Sequence, residues 1–181
     1  MNSENQFSPP AVKVLMVCLG NICRSPTAHG VFHKIIKTNN LEQYIKVDSA
    51  GTGDWHIGET PDNRAIKAAA KRGYQIGTYK ARQVCAPDFE IYNYILAMDH
   101  TNLLDLKRMC PAAHQTKLQL LLTWGDSLHD TVPDPFYSGD EGFNLVLDLV
   151  EDACEKLLRH IKDRHFLISW GRPNHGNSPE I

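Results

Sequence analysis

The feature that most constrains the fold is a short loop between a buried strand and the start of a helix. Residues 12–17 are apolar apart from one lysine, which is typical of a strand buried on both faces of a sheet. The dipeptide Ser25-Pro26 predicts a helix N-terminus, with Ser25 as the N-cap and the proline at the first helical position. A strand that leads through a tight loop directly into a helix is typical of α/β proteins with a parallel sheet.

The rest of the chain repeats this alternation of short apolar runs and helical patterns. Further strands are expected at 44–50, 92–98 and 118–122, the last of them alternatively a short helix. Further helices are expected at 61–73, 101–109 and from 143 onward. The predicted fold is therefore α/β, a single domain with a parallel sheet and helices on both faces, and the loop after the first strand lies at the carboxyl edge where such sheets bind ligands.

The domain boundaries follow from length and composition. A chain of 181 residues suits one core, which we expect over residues 11–165. Residues 1–10 are predicted to be a flexible N-terminal extension, and 166–181 a partly disordered C-terminal extension, because 1–10 and 171–181 are polar and rich in proline, glycine and asparagine. For the apolar stretch 166–170, a flap folded onto the domain and a patch that binds a partner both stay open.

Composition excludes several classes of partner and location. The net charge of −2 gives no basic surface for nucleic acid, and no apolar run approaches the roughly 20 residues of a membrane span. The N-terminus has no secretory pattern, and the five cysteines are odd in number and scattered, which favours a reducing compartment. We therefore expect a cytoplasmic protein without nucleic acid, membrane span or zinc.

The loop from Cys18 to Ser25 has the residues of a phosphate cradle. It lacks Gly-Lys-Ser/Thr, which excludes the nucleotide-binding type. Gly20 and Asn21 tolerate the positive φ angles of a tight ring, whose N–H groups would point at phosphate oxygens. Arg24 offers a bidentate fork, and together with the helix N-terminus it favours the thiolate form of Cys18. The remaining members of the loop are Leu19, Ile22 and Cys23.

Cys23 lies five residues after Cys18, at the other end of the same small ring. Peroxide oxidises an accessible thiolate first, and the ring could hold the two Cα atoms within the roughly 4.4–6.8 Å that a disulfide needs. Two interpretations stay open. Cys23 is either a redox partner that protects Cys18, or a small apolar residue packed under the loop.

Four segments resemble, in the expected order, the low-molecular-weight protein tyrosine phosphatase family. They are residues 17–28, 47–52, 81–83 and 134–137. The resemblance spans residues 12–165 and implies a four-stranded parallel sheet flanked by helices. It implies an enzyme, a protein tyrosine phosphatase that forms a phosphocysteine intermediate without metal or cofactor. The expected partner is a tyrosine-phosphorylated protein, and the expected state is a monomer or weak dimer.

The resemblance also implies roles for individual residues. Cys18 would be the nucleophile, Arg24 the phosphate clamp and Asp134 the general acid and base. Asn21 would brace the loop, and Ser49 would support it. The substrate pocket would be lined by Trp55, Phe136 and Tyr137, whose rings can stack on a phenyl group. The sequence departs from the family at Tyr79, where some members carry a histidine that supports the loop.

Three alternative activities stay open on the same fold. Phosphoarginine phosphatases resemble this family but tend to carry threonine where this chain has Ile22. Arsenate reductases need further cysteines to relay a disulfide, for which the candidates are Cys85, Cys110 and Cys154. A phosphocysteine carrier domain protects its phosphocysteine, and it would have no use for Arg24 and Asp134.

Overall fold

The structure of the chain is a computed structural model, and it describes residues 11–166. The expectations for residues 1–10 and 167–181 lie outside these residues. The sheet has four strands: β1 Val12–Cys18, β2 Ile45–Gly51, β3 Tyr94–Ala97 and β4 Leu118–Leu120. Their order is β2-β1-β3-β4 and every pairing is parallel, so the predicted four-stranded parallel sheet is confirmed.

The helices of the described region cover both faces of this sheet. They are α1 Arg24–Thr38, α2 Asn63–Lys71, α3 Ala86–Ile91, α4 His100–Met109 and α5 Asp140–His165. Side chains of β1 alternate between the faces, as a strand requires. Val14 and Met16 pack in a core with α1 and α5, whereas Leu15 and Val17 pack in a second core with α3 and α4. Among residues 11–166, no helix is long and apolar enough to cross a membrane.

Two predicted helix starts are wrong. Helix α1 begins at Arg24 with Cys23 as the N-cap residue, because the Ser25 hydroxyl is engaged with neighbouring side chains of the loop instead of capping the helix. Helix α2 begins at Asn63 rather than Pro61, because the Asp62 carboxylate accepts a hydrogen bond from the backbone N–H of Arg64 at 2.8 Å and caps the helix.

Two further segments differ from the expectation. The sequence of residues 118–122 is compatible with a strand or a short helix. The structure has both, since β4 is followed by a 3₁₀ helix at Leu121–Trp124. Helix α3 was not predicted because its six residues are too few to show a helical period. Neither difference moves the carboxyl edge of the sheet, where the loop after β1 lies.

The carboxyl edge brings three parts of the chain together. Cys18 at the end of β1 pairs with Gly51 at the end of β2, and a Cβ atom on Gly51 would lie 2.6 Å from the Leu19 carbonyl oxygen. On the other side, the backbone N–H of Val132 donates to the Met98 carbonyl just after β3, at 2.8 Å. This bond holds the loop that follows, which carries Asp134, at the same edge.

Candidate active site

Cys18 lies at the floor of the loop, almost fully buried. Its Sγ accepts a hydrogen bond from the backbone N–H of Asn21 at 3.3 Å and lies 3.0 Å from the Ser25 Oγ. The Ser25 Oγ also accepts a hydrogen bond from the Asn21 side-chain amide at 2.8 Å, and its own hydrogen can go to the sulfur or to the Ala50 carbonyl oxygen, which lies 3.4 Å away. Both contacts place hydrogen-bonding groups next to the sulfur, the kind of environment in which reactive cysteines are found.

Asn21 braces the ring of backbone. It adopts a φ of 56°, as the sequence predicts, and its side-chain oxygen accepts the backbone N–H of Arg82 at 3.0 Å. Gly20 was expected to share the positive φ, but it is absent from the positive-φ residues of 11–166, and that expectation is wrong. A Cβ atom at Gly20 would lie 2.9 Å from the His56 ring, so a larger residue there would push this side chain aside.

Arg24 lies buried beneath the cavity with its guanidinium held on several sides. It forms an ion pair with Asp99, donates to the Val132 carbonyl at 3.1 Å, and lies 3.4 Å from an Asp134 carboxylate oxygen. Burial alone would lower the pKa of Arg24, but the charges of Cys18 and the two aspartates outweigh it and raise the pKa. Arg24 is therefore a fixed positive charge beside the sulfur.

Sequence reasoning missed Asp99. This residue lies two positions after the end of β3 and caps helix α4, since its carboxylate accepts the backbone N–H of Asn102 at 2.7 Å. Its other oxygen binds Arg24. The available signal was its position, because polar residues just after a parallel strand lie at the ligand-binding edge.

Asp134 combines two contacts. One carboxylate oxygen accepts the backbone N–H of Phe136 at 3.1 Å, a turn contact typical of an aspartate in this position, and the other faces Arg24. Half of its side chain, 51%, is exposed to solvent. A carboxyl group that is both fixed by a turn and open to the cavity can exchange protons with a bound molecule.

These residues surround one cavity of about 380 Å³. Its wall is formed by Cys18, Leu19, Gly20, Ile22, Cys23, Arg24, Trp55, His56, Asp134, Phe136 and Tyr137. The structure thus unites the predicted catalytic and pocket residues, with Asn21 and Ser25 beneath the wall and Ser49 outside it. Trp55 and Tyr137 are mostly exposed and form the rim. Within residues 11–166, no group of three histidines, cysteines or carboxylates is placed to hold a metal ion.

Arg64, on helix α2, is a second residue that sequence reasoning missed. Its guanidinium donates to the Phe136 carbonyl at 2.8 Å and lies 5.3 Å from the centre of that ring, while Asp62 holds it from the other side. Arg64 therefore fixes the aromatic part of the loop that carries Asp134. No sequence motif marks this contact, which joins residues 72 positions apart.

Ser49 does not touch the cavity. Its hydroxyl lies 3.2 Å from Nδ1 of His29, a residue of α1, and the imidazole is stacked on Tyr79 with 4.1 Å between ring centres. Ser49 therefore contacts α1 rather than the cavity, and its support of the loop stays a prediction.

Cys23 packs in an apolar cluster that includes Ala69, Ile76 and Phe143. Burial, together with the charge of Asp62, raises its pKa to about 12. Cys23 is therefore a neutral thiol at physiological pH, and it lines the same cavity as Cys18.

Three comparisons with known proteins agree with this geometry. A putative low molecular weight protein-tyrosine-phosphatase of Synechocystis sp. is 42% identical over 149 residues, which are 81% of this chain and 94% of the relative. The crystal structure of a protein tyrosine phosphatase from Entamoeba histolytica has a TM-score of 0.82 and 40% identity, covering 84% of this chain and 98% of that chain. The crystal structure of a Drosophila arginine phosphatase has a TM-score of 0.78 and 33% identity, covering 83% and 98%.

A parallel sheet that brings a cysteine, a buried arginine and an aspartate to one cavity is the arrangement that a cysteine-dependent α/β phosphatase needs. The family model described as "Low molecular weight phosphotyrosine protein phosphatase" matches residues 13–166. The chain therefore belongs to the low molecular weight phosphotyrosine protein phosphatase family. The family and the enzyme class that the sequence predicts are confirmed.

Proposed function

We propose that the protein hydrolyses phosphotyrosine in proteins, with Cys18 as the nucleophile, Arg24 as the phosphate clamp and Asp134 as the general acid and base. One observation carries this proposal. The sulfur, the guanidinium and the carboxylate line the same cavity, and Arg24 contacts Asp134 while it lies beneath the loop of Cys18.

The first step is attack of the Cys18 thiolate on phosphorus. The S–P bond forms as the P–O bond to tyrosine breaks, and protonated Asp134 gives its proton to the leaving phenolate. Arg24 and the N–H groups of the loop hold the equatorial oxygens, where negative charge is spread. Substrate phosphate would replace Asp134 as the partner of one guanidinium nitrogen.

The second step releases phosphate. Asp134, now a carboxylate, takes a proton from a water molecule, whose oxygen attacks phosphorus and breaks the S–P bond. Cys18 leaves as a thiolate, and the hydrogen bonds from Ser25 and from the Asn21 N–H stabilise it. The loop therefore makes the sulfur a good leaving group as well as an ionised nucleophile.

The cavity wall favours an aryl substrate. Phe136 and Tyr137 pack edge to face with their ring centres 5.0 Å apart, and Trp55 is on the same wall, so a phenyl ring that enters the cavity meets aromatic side chains against which it can pack. Peptides with phosphotyrosine, phosphoserine and phosphoarginine, assayed side by side without metal, test this assignment. We expect a strong preference for phosphotyrosine, and equal rates on the three peptides would contradict the aromatic wall.

Phosphoarginine is the second candidate substrate, because one similar structure is an arginine phosphatase. Ile22 lies in the wall of the cavity, where its branched apolar side chain suits an aryl group better than a guanidinium. We expect Ile22→Thr to raise turnover of phosphoarginine peptides and Ile22→Val to leave it low. An unchanged phosphoarginine rate in Ile22→Thr would remove this explanation of specificity.

The reductase and the carrier receive less support. Among the described cysteines, Cys85, Cys110 and Cys154 do not line the cavity. Of the described residues, Cys23 is therefore the one cysteine placed in the cavity wall with Cys18 that could take part in a disulfide relay. A carrier would not need a carboxylate beside the clamp. Turnover of p-nitrophenyl phosphate without metal separates the hydrolase from the carrier, and turnover of arsenate with thioredoxin would identify a reductase.

We further propose that Cys23 protects Cys18 by forming a disulfide with it after oxidation. Peroxide oxidises the Cys18 thiolate to sulfenic acid, and the Cys23 thiol attacks that sulfur, releases water and forms the S–S bond. Peroxide should therefore inactivate the enzyme, and dithiothreitol should restore it. Cys23→Ser should turn over substrate but stay inactive after peroxide, whereas Cys85→Ser, at an exposed site, should recover. Full recovery of Cys23→Ser would leave Cys23 with a packing role only.

The domain boundaries at 11 and 165, the cytoplasmic location and the monomer or weak dimer stay predictions.

A further inference from the structure

His29 is a partly buried imidazole that the mechanism does not use. It lies on α1, four residues after Ser25, and it is absent from the wall of the catalytic cavity. Its Nδ1 lies 3.2 Å from the Ser49 hydroxyl, and its ring is stacked on Tyr79 with an interplanar angle of 9°. The imidazole therefore ties the first turns of α1 to the end of β2.

The end of β2 is in contact with the nucleophile. The carbonyl oxygen of Ala50, the residue after Ser49, lies 3.4 Å from the Ser25 Oγ. The Cys18 Sγ lies 3.0 Å from this Ser25 Oγ, so the hydroxyl has two neighbours that can accept its hydrogen. A hydroxyl has one hydrogen, so the carbonyl and the sulfur compete for it. The distance of the Ala50 carbonyl from the Ser25 hydroxyl therefore affects how often this hydroxyl donates its hydrogen to the Cys18 sulfur.

Electrostatics keep His29 neutral, which suits a link between packed elements. Burial lowers its pKa to about 4, opposed by the carboxylate of Asp48 and assisted by His33 and Arg82. Glu42 and Lys46 line the groove next to the ring. A neutral imidazole can share one hydrogen with the Ser49 hydroxyl in either tautomer.

We propose that His29 is a positioning residue for the nucleophile, which acts through Ser49 to hold the Ala50 carbonyl away from the Ser25 hydroxyl. Without His29, β2 can shift, the carbonyl takes a larger share of the Ser25 hydrogen, and the Cys18 thiolate loses part of its stabilisation. The inference rests on the proposed role of Cys18 and goes beyond it, since His29 touches neither substrate nor sulfur.

The test is the pH midpoint at which iodoacetate alkylates Cys18, measured together with kcat for p-nitrophenyl phosphate. In His29→Leu we expect the midpoint to rise by about 0.5–1 pH unit and kcat to fall about 3- to 10-fold, the worth of one hydrogen bond. His33→Leu, which removes an exposed histidine one turn further along α1, should change neither quantity.

A double-mutant cycle tests the route through Ser49. Ser49→Ala should reproduce the shift of the midpoint, and Ser49→Ala combined with His29→Leu should add little to either single variant, because both remove the same link. Additive effects of the two substitutions would overturn the proposal. So would a His29→Leu variant that is less stable than the wild type but has an unchanged alkylation midpoint.

His29→Asn covers the case in which the leucine variant does not fold. Its side-chain amide can place a polar atom near the position of Nδ1, and we expect it to restore the midpoint to the wild-type value. An asparagine variant that is folded but alkylated with the shifted midpoint would contradict positioning through this hydrogen bond. A failure of Cys18 as the nucleophile would show separately, as activity retained in Cys18→Ser.

Discussion

The floor and the rim of the active site are built in opposite ways. On the floor, Cys18, Asn21, Arg24 and Ser25 are buried, and each has polar partners within the loop or in the segments next to it. On the rim, Trp55 and Tyr137 are 68% and 97% exposed.

This difference separates two tasks. Transfer of a phosphoryl group needs charge and donors held in place before the substrate arrives, because reorganisation during the reaction costs rate. Recognition of a protein substrate needs side chains that can settle around its surface, which exposed aromatic residues can do. The comparison predicts that changes on the floor abolish chemistry, whereas changes on the rim alter substrate affinity.

The largest effect is expected from Cys18→Ser. Turnover should fall by at least about 10⁴-fold, since no other group can form the covalent intermediate. Phosphate and vanadate should still bind, because Arg24 and the loop N–H groups remain. Arg24→Ala should lose both binding and turnover, and Cys85→Ser serves as the control for removal of a thiol. Isotherms for vanadate and rates for p-nitrophenyl phosphate check both, and more than trace turnover in Cys18→Ser would contradict the division of tasks.

Asp134 lies between floor and rim, and its effect should be intermediate. We expect Asp134→Ala to slow hydrolysis of phenyl phosphate by about 10²–10⁴-fold, the usual worth of a general acid. The loss should shrink for leaving groups that need no proton. Asp130→Ala, at an exposed aspartate upstream in the same segment, is the control. A uniform loss across a series of leaving groups would indicate damage to the loop instead.

The support beneath the floor should make stability depend on pH. His29 has a pKa of about 4 in the folded chain against 6.5 ordinarily, so the unfolded state binds its proton first as the pH falls. The contribution of neutral His29 to the free energy of unfolding is therefore complete above pH 6.5. It is lost as the pH falls from about 6.5 to 4, by at most about 3 kcal/mol in all. Denaturant titrations at several pH values should show the loss in wild type and a flatter profile in His29→Leu. Equal slopes in the two proteins would exclude His29 as the source.

The rim should give the smallest effect. We expect Tyr137→Ala to raise KM for a phosphotyrosine peptide about 2- to 10-fold with little change in kcat, because an aromatic pair is worth about 0.5–1.5 kcal/mol. Tyr137→Phe keeps the ring and should resemble the wild type. A fall in kcat with an unchanged KM would show that Tyr137 acts in the chemical step, as the floor residues do, and would contradict the division of tasks between floor and rim.

The floor was predictable from the sequence because its residues are consecutive. Between a buried strand and a helix start, Cys18 and Arg24 leave few alternatives to a phosphate loop. The partners that fix this floor were not predictable. Asp99 reaches Arg24 across 75 positions, a contact that no local pattern encodes.

The rim and the backbone details show where sequence reasoning stops. The resemblance placed Trp55 and Tyr137 on the pocket but could not give their exposure, which depends on the packing of loops. Ser25 looked like an N-cap from its neighbours, yet its hydroxyl binds Cys18 and Asn21. The capping preference of Ser25 is overridden by side-chain contacts within the same loop.

The most direct test of the account is to identify the phosphorylated residue during turnover. Asp134→Ala, mixed with p-nitrophenyl phosphate, should form the intermediate and lack the base that hydrolyses it, so rapid denaturation should trap it. Mass analysis of the peptides should find one phosphoryl group, on Cys18. A phosphoryl group on Cys23 or on another residue, or a burst of nitrophenol with no phosphorylated cysteine, would contradict Cys18 as the nucleophile.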